Sequence, residues 1–504
     1  MPNLHVYTTP TFNITNTDNE DPSMTGCGPS DEEEENINEY KQGGYHFVEI
    51  GDTFYNGRYV IQNKMGWGYF STVWLAKDTL TNQHVALKIV KSDPHFCKSA
   101  LEEIEILEQI QKIAVDKNHG QQQYVAQLLH HFWHDAGHNT KHVCMVFEVL
   151  GESLLSVMKR FNFRGLPIPL VKRITQQITK GLYFLHQECG IVHTDIKPEN
   201  ILICIPQVED HLNNNYNHNE NNNNQQYRKD SLNTPTSASS SSMLTIDNNP
   251  NLSSGKRKRL KRKMKRQERR TTDPVPVNNK KGKQQSSNNQ ALSSSTSLEN
   301  GMSSLSVDNE KSTPKIIKST ALDCTLLKNE GEEEEDWYDR ITVKIIDLGN
   351  ACAINGNYSH VIQTRQYRSP EVIVGLTWNE RADIWSLGCL VFELITGDYL
   401  FDPHSDSKYG KDDDHLIKIV ELMRVIPRAL TIGGNYSREF FNQKGELRHA
   451  KQLRYRRLRD VLHDTYFMDP DQADKISKFL SSMLEVDMTK RASAKQVLNH
   501  EWLQ

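Results

Sequence analysis

The feature that most constrains the fold is a long polar segment between two motifs, IVHTDIKPEN (Ile191–Asn200) and VKIIDLGNA (Val343–Ala351). Residues 208–336 between them are rich in Asn, Ser, Gln and Lys. Such a composition cannot bury enough apolar surface to offset the entropy lost when a chain is ordered. Loop closure entropy, however, grows only logarithmically, by about 0.6 kcal/mol per doubling of length. We therefore expect both motifs to belong to one folded unit, with the ends of the polar segment close together.

The composition indicates ordered and disordered parts. Hydrophobic residues make up only 36% of the 504 residues, below the usual globular share. We predict a disordered acidic tail over residues 1–44, ordered parts over 45–207 and 337–504, and a disordered spacer over 208–336. The formal net charge of -4 argues against a protein that binds nucleic acid over its whole surface.

The cysteines and the apolar runs indicate the cellular compartment expected for this chain. The eight cysteines are scattered and form no C-x-x-C pair, which is typical of reduced thiols in a cytosolic or nuclear protein. No apolar run approaches about 18 residues, so we expect no membrane span. The first residues lack a basic region followed by an apolar one, so we expect no signal peptide.

Residue periodicity predicts strands first and helices later. Residues 58–78 contain two alternating stretches around a glycine pair, which is typical of a hairpin, and residues 84–91 read as a third strand. Residues 98–113 have helical spacing, with Leu101, Ile104, Leu107 and Ile110 apolar. A second helix is predicted over residues 170–186, with apolar positions at Val171, Ile174, Ile178, Leu182 and Leu185.

The glycine pair of the hairpin is a candidate phosphate-binding loop. Glycines at a turn let backbone N–H groups approach a triphosphate closely. The motif departs from G-x-G-x-x-G, since Ser71 stands at the third place, and a glycine-rich hairpin alone is usually just a turn. The candidate nucleotide contacts are Gly66, Trp67, Gly68, Tyr69, Phe70, Ser71 and Val73.

Lys88 ends an apolar strand run, where an unpaired ammonium group would be costly to bury. Nucleotide phosphates would supply one partner and a helix glutamate the other. Among three nearby glutamates, only Glu103 shares its helical face with the apolar residues Ala100, Leu107 and Ile110. We therefore predict a Lys88–Glu103 pair and expect Glu102 and Glu105 to lie on the solvated surface.

The two motifs supply the remaining chemistry. We expect Asp195 to accept the proton of a substrate hydroxyl and Lys197 to neutralise the γ-phosphate of a nucleotide. Asn200 and Asp347 offer the hard oxygen ligands that Mg²⁺ prefers. Any one of these residues could be an ordinary polar loop residue, but their joint order and spacing are far more specific. We further predict a buried Glu371–Arg491 ion pair. Asp383 is predicted to brace the backbone of residues 193–200, which we call the catalytic loop.

Together these motifs resemble the eukaryotic protein kinases and, within their CMGC group, the SR-protein kinase family. The stretches that resemble that family include RYVIQNKMGWGYFSTVWLAKD, HTDIKPENIL, QTRQYRSPEV, GDYLFDPHS and YSREFFNQKGELRH. The family also divides its kinase domain with a polar spacer. The related LAMMER kinases are named for the residue sequence LAMMER, which they carry in the second lobe. This chain has HLIKIVELMRVIP there instead.

The resemblance implies an α+β bilobal kinase fold, with a strand-rich first lobe and a helical second lobe. It implies ATP and Mg²⁺ as the phosphate donor and its cation, and serines in Arg-Ser segments of SR splicing factors or RNA-binding proteins as substrates. It places the adenine hinge at Glu148 and Leu150. A monomer is expected, without direct nucleic-acid binding.

The resemblance also implies substrate contacts. Asp414 and Glu421 are seven residues apart and share a helix face, and with Asp398 they match an acidic docking groove of the family; a merely solvated acidic helix fits the spacing equally well. Arg365 and Arg368 match a basic site that would hold phosphorylated serine. The family has a lysine where this chain has Thr465, so docking is expected to differ there.

Thr194 stands where kinase catalytic loops commonly carry an arginine that clamps a phosphorylated activation segment. We therefore expect activity without phosphorylation of that segment, which runs from Asp347 to Glu371 in this chain. Two alternatives remain open: an inactive scaffold that binds Arg-rich partners, and an active kinase with other substrates. The complete set Lys88, Asp195, Asn200 and Asp347 argues against the scaffold.

The basic tract Lys256–Arg270 lies inside the polar spacer. It fits binding to a nuclear import receptor, a solvated charge run, or an RNA contact, in that order of preference. The absence of interleaved aromatic residues weakens the RNA interpretation. We expect distribution between cytoplasm and nucleus.

Overall fold

The computed structural model describes residues 35–117, 120–137, 139–213, 322–327, 337–354, 361–405, 409–450 and 452–504. These residues form the predicted bilobal α+β fold, with a strand-rich first lobe and a helical second lobe. The basic tract Lys256–Arg270 and residues 1–34 of the predicted tail lie outside the described residues.

The first lobe is built on one antiparallel sheet in the order β1-β2-β3-β4-β6-β5. The predicted hairpin is β2–β3 and the predicted third strand is β4. Alternate residues of the central strands, such as Ile61, Trp74 and Leu87, point into one buried cluster, as the period of two requires. The strands are β1 (Thr53–Phe54), β2 (Tyr59–Trp67), β3 (Ser71–Asp78), β4 (Gln83–Val90), β5 (Leu128–Asp135) and β6 (Lys141–Phe147).

Helix α1 (Pro94–Lys117) packs beside this sheet. Ile104, Leu107 and Ile110 are buried as predicted, but the prediction that Leu101 joins them is wrong, since 37% of Leu101 is exposed. The buried stripe passes instead through Ala100, one position earlier. Because successive helical residues differ by about 100° in direction, that single step turns Leu101 toward solvent.

The second lobe is helical around two central helices, α3 and α5. Every apolar residue predicted for the stripe of α3 is fully buried, and its chain continues through a π-helical turn over Phe184–Cys189. The helices are α2 (Leu154–Arg160), α3 (Ile168–Tyr183), α4 (Pro370–Ile373), α5 (Arg381–Thr396), α6 (Lys411–Met423), α7 (Arg428–Ile432), α8 (Ser437–Phe440), α9 (Leu458–Asp464), α10 (Pro470–Met483) and α11 (Ala494–Leu498).

Two small ladders join the chain before and after the spacer. Strand β8 (Ile201–Cys204) follows the first motif and pairs antiparallel with β9 (Thr342–Ile345), with Ile201 opposite Ile345. Strand β7 (Ile191–Val192) pairs in the same way with β10 (Cys352–Ala353). The two motifs are therefore joined by backbone ladders, and the ends of the insertion lie side by side, as expected from the low entropic cost of closing a long loop.

The folded part extends beyond the predicted boundaries. In the predicted tail, Ile37 is buried and Glu39 pairs with Lys91. Residues 208–213 at the start of the predicted spacer are helical, and residues 322–327 near its end contact the hinge region through a hydrogen bond from the Glu152 N–H to the Leu322 carbonyl. Isolated apolar residues in polar surroundings carry too weak a pattern to mark these segments.

In the described part of the chain none of the seven cysteines forms a disulfide, which agrees with the prediction of reduced thiols. Within the same residues, none of the helices combines the length and apolar character that a membrane span requires.

Candidate active site

The pair predicted between Lys88 and Glu103 is present. Lys88 Nζ lies 2.8 Å from Glu103 Oε2 and 3.1 Å from Oε1, and 4.0 Å from Asp347 Oδ1. Burial alone would lower the pKa of Lys88, but the Glu103 and Asp347 carboxylates raise it. The lysine is therefore a fixed cation that joins helix α1 to the second motif. Glu102 and Glu105 are exposed, as predicted.

Asp383 holds the backbone of the catalytic loop in place, as predicted. This residue is fully buried in α5, and its Oδ2 accepts hydrogen bonds from the His193 N–H and from His186 Nε2, each at 2.8 Å. Its Oδ1 accepts from the Thr194 N–H at 2.8 Å. Thr194 has a φ of +73°, which a threonine adopts only under local constraint. Asp383 therefore accepts hydrogen bonds from the His193 and Thr194 N–H groups at this strained turn.

Asp195 lies at the centre of a polar cluster. Lys197 Nζ is 2.7 Å from its Oδ2, and the Thr364 hydroxyl donates to its Oδ1 at 2.6 Å. Burial pushes the pKa of Asp195 upward, but the charge and hydrogen bond of Lys197 and the bond from Thr364 outweigh burial, so the pKa is lowered. Asp195 is consequently ionised at neutral pH and able to accept a proton.

Asn200 and Asp347 offer the oxygen atoms expected for a cation. The Asn200 amide nitrogen donates to the Asp195 carbonyl at 2.9 Å, which leaves its amide oxygen as the acceptor end. Asp347 has a φ of +65° and a 43% exposed side chain. Among the described residues there is no group of three His, Cys, Asp or Glu side chains suited to a metal. An amide and a carboxylate fit Mg²⁺, which takes few protein ligands and completes its shell with phosphate and water oxygens.

A cleft of about 890 Å³ lies between the lobes above these residues. All residues predicted to contact the nucleotide line it, namely Gly66, Trp67, Gly68, Tyr69, Phe70, Ser71, Val73, Lys88, Glu148 and Leu150. The Glu148 carboxylate itself is held by Lys344 Nζ at 2.6 and 2.7 Å, so the hinge offers its backbone to a ligand. Cleft size and lining suit a nucleotide.

Comparison with known proteins agrees with this geometry. The protein kinase domain model matches residues 59–210 and 326–503, on either side of the spacer. Protein kinase dsk1 of Schizosaccharomyces pombe is 42% identical over 93% of this chain and 85% of its own length. Human SRSF protein kinase 3 is 37% identical over 94% and 91%, and the serine/threonine-protein kinase SKY1 of Saccharomyces cerevisiae is 33% identical over 95% and 79%.

The chain belongs to the SR-protein kinase family. It is a protein serine/threonine kinase, and kinases of this fold use ATP and a divalent cation.

The predicted buried ion pair is present in the second lobe, where it joins α4 to the chain before α11. We call this region the platform. Arg491 is fully buried, with Nη1 and Nη2 at 2.7 and 2.8 Å from the two carboxylate oxygens of Glu371. The guanidinium carbon also lies 5.0 Å from the ring centre of Trp385. This bidentate geometry fixes α4, at the end of the activation segment, to the chain that precedes α11.

The predicted basic site differs in one of its two residues. Arg368 is only 6% exposed and donates from Nε and Nη2 to the backbone carbonyls of Ile362 and Gln363. Burial lowers its pKa to about 10. Arg368 therefore fastens the activation segment, and its guanidinium group is largely enclosed; its contact with phosphoserine stays a prediction. Arg365 is partly exposed and pairs with Asp412.

The residues predicted to form an acidic docking groove are only partly accessible. Asp414 is 8% exposed, accepts from the His404 N–H at 2.9 Å and pairs with Lys418, so its carboxylate is engaged within the protein; its part in an acidic docking groove stays a prediction. Asp398 is exposed and Glu421 half-buried.

The segment 454–466 touches both accessible carboxylates. The Arg454 N–H donates to Glu421 Oε1 at 2.8 Å, and the Tyr466 hydroxyl donates to Asp398 Oδ2 at 3.1 Å. At Thr465, where the family lysine is missing, the Arg456 guanidinium donates to the hydroxyl at 3.0 Å. A guanidinium group therefore lies beside Thr465 in this chain.

Thr364 is a site residue that the sequence did not reveal. Its hydroxyl donates to Asp195 and accepts from Lys197 at 3.0 Å. The residue lies far along the chain from the catalytic loop in an ordinary polar stretch. Only its place directly before the predicted Arg365 could have drawn attention to it.

Proposed function

We propose that this kinase transfers the γ-phosphate of ATP to serines in Arg-Ser segments of SR-type splicing factors or other RNA-binding proteins. One observation carries the proposal: the complete kinase site occurs together with two accessible carboxylates, Asp398 and Glu421, that border one surface segment. The name of human SRSF protein kinase 3 supports the same substrate class.

The residues of the cleft and of the catalytic loop would divide the work as follows. Asp195 would accept the proton of the serine hydroxyl, and Lys197, 2.7 Å away, would offset negative charge on the transferred phosphoryl group. Lys88 would bind the α- and β-phosphates, held in place by Glu103. Asn200 and Asp347 would hold Mg²⁺, whose charge would favour the departure of ADP as the γ-phosphoryl group passes to serine.

Arginine-rich substrates suit the exposed surface of the second lobe. Asp398 and Glu421 would attract a basic peptide by charge, which raises the encounter rate and sets register more than it raises affinity. Asp414, being buried and paired with Lys418, would contribute to the field of this surface without direct contact.

A preference for arginine is the testable consequence. With matched Arg-Ser, Lys-Ser and Ala-Ser repeat peptides, we expect the highest kcat/KM for Arg-Ser. Asp398→Asn combined with Glu421→Gln should raise KM for the Arg-Ser peptide about 3- to 10-fold, as expected for two partly exposed charge pairs. Phosphate incorporation measures both.

The matched control removes two charges elsewhere. Glu102→Gln with Glu105→Gln changes two exposed glutamates of α1 and should leave KM for the peptide unchanged. Equal use of the three peptides would contradict the Arg-Ser proposal while leaving the kinase assignment intact.

We also propose that the kinase is active without phosphorylation of its activation segment. Thr194 is buried, and its hydroxyl donates to the Asn350 carbonyl at 2.9 Å, which ties the catalytic loop directly to the activation segment. Phosphatase treatment of the recombinant enzyme should therefore leave its kcat within about twofold of the untreated enzyme, because no phosphate-dependent clamp is needed. Loss of activity after treatment, with dephosphorylation verified by mass spectrometry, would contradict this proposal.

A further inference from the structure

The residues before β1 contact the glycine-rich loop between β2 and β3. Tyr45 is 6% exposed, and its hydroxyl donates to the Gly68 carbonyl at 2.6 Å and lies 3.5 Å from the Tyr69 carbonyl. A methyl group placed on Gly66 or Gly68 would meet no atom within 4 Å. The glycines therefore lie in open space, and Tyr45 is a contact that restrains the loop backbone from outside the hairpin.

Lys91, which follows β4, joins the same contact. Its side chain is buried, and Nζ lies 4.4 Å from the ring centre of Tyr45 and 4.6 Å from that of Tyr69. Glu39 Oε2 completes the site at 3.0 Å from Nζ. A buried ammonium group needs such a partner, and the two ring faces add cation–π attraction. The Lys91 N–H also donates to the Phe70 carbonyl at 2.9 Å.

Phe96 extends the cluster to helix α1. Its ring centre lies 5.9 Å from that of Tyr69 and 5.4 Å from that of Phe70, both edge-to-face, an arrangement that aromatic pairs favour. Helix α1 also carries Glu103, the partner of Lys88. The segment before β1, the loop tip and α1 are thus connected through one set of side chains.

We propose that Glu39, Tyr45 and Lys91 form a brace that positions the glycine-rich loop over the phosphates of ATP. The backbone N–H groups of such a loop bind phosphate only while the loop stays down on the nucleotide. The brace holds the Gly68 carbonyl, so the Tyr69 N–H, which belongs to the same planar peptide unit, keeps a fixed direction. The inference rests on ATP as the phosphate donor and is independent of the Arg-Ser substrate.

Tyr45→Phe tests the brace because it removes one hydroxyl and keeps the ring. Loss of one hydrogen bond should raise KM for ATP about 3- to 10-fold. If the loop binds the nucleotide equally tightly before and during phosphoryl transfer, weaker binding raises KM for ATP alone. We therefore expect kcat and KM for the peptide to stay within about twofold. Lys91→Met should raise KM for ATP at least as much. Amide hydrogen exchange of residues 66–70 should become faster in both variants without nucleotide.

Tyr59→Phe is the matched control. The Tyr59 hydroxyl contacts His130 Nδ1 at 3.0 Å, in the same sheet but away from the loop, so this variant loses an equivalent bond and should keep the wild-type KM for ATP. An unchanged KM for ATP and unchanged exchange in Tyr45→Phe would overturn the brace, as would an equal rise in Tyr59→Phe. Absence of ATP binding by the wild-type enzyme would instead overturn the proposed function.

Discussion

Replacing Asp195 with asparagine is expected to lower kcat about 10²- to 10⁴-fold, the usual contribution of a general base. Asparagine keeps the size of the side chain and still accepts a hydrogen bond from Thr364, but it carries no charge with which to take up a proton. The loss should fall on kcat, since Asp195 contacts Lys197 and Thr364 while the residues that line the nucleotide cleft are unchanged. Steady-state kinetics and a nucleotide-binding titration measure the two effects separately.

The control for this variant is Asp339→Asn, which neutralises an exposed carboxylate outside the catalytic loop and should keep full activity. A rate for Asp195→Asn above a tenth of wild type would show that another group accepts the proton. Turnover by the wild-type protein that disappears in Asp195→Asn would also exclude the inactive-scaffold alternative, because a scaffold has no activity to lose.

The parts of the site that sequence predicts are those whose pattern is local. Glu103 is distinguished from its neighbours by helical phase alone, and the structure shows it at 4% exposure with Lys88. Asp383 was recognisable because a carboxylate in an otherwise apolar helix needs buried donors. The closure of the spacer was predictable for a different reason. The entropy of closing a long loop depends only weakly on its length, so the insertion does not prevent β8 from pairing with β9.

The parts that sequence misses depend on where distant segments meet. Arg368 and Arg365 look alike in sequence, yet one is enclosed by backbone carbonyls and the other reaches Asp412. Tyr45 carries no motif, and its function follows only from the position of its hydroxyl beside Gly68. Composition likewise hid residues 208–213 and 322–327, whose few apolar side chains pack against a lobe formed by other parts of the chain.

The buried pair of Glu371 and Arg491 gives the largest expected effect on stability. Glu371→Gln should lower the free energy of unfolding by about 3–5 kcal/mol, because it leaves a guanidinium group buried without a counter-charge. Chemical denaturation monitored by tryptophan fluorescence measures the loss. Asp474→Asn is the control: it breaks a solvent-exposed pair with Lys478 and should produce no measurable change.

A second substitution separates loss of charge balance from loss of contact. In Glu371→Gln combined with Arg491→Met, no buried charge remains, and the methionine keeps an apolar chain beside Trp385. If desolvation of an unpaired ion dominates, this double variant should be more stable than Glu371→Gln alone. Arg491 also donates to the carbonyls of Glu485 and Arg381, so the double variant should still fall short of wild type. A double variant no more stable than the single one would show that these carbonyl bonds, not charge balance, are what Arg491 contributes to the platform.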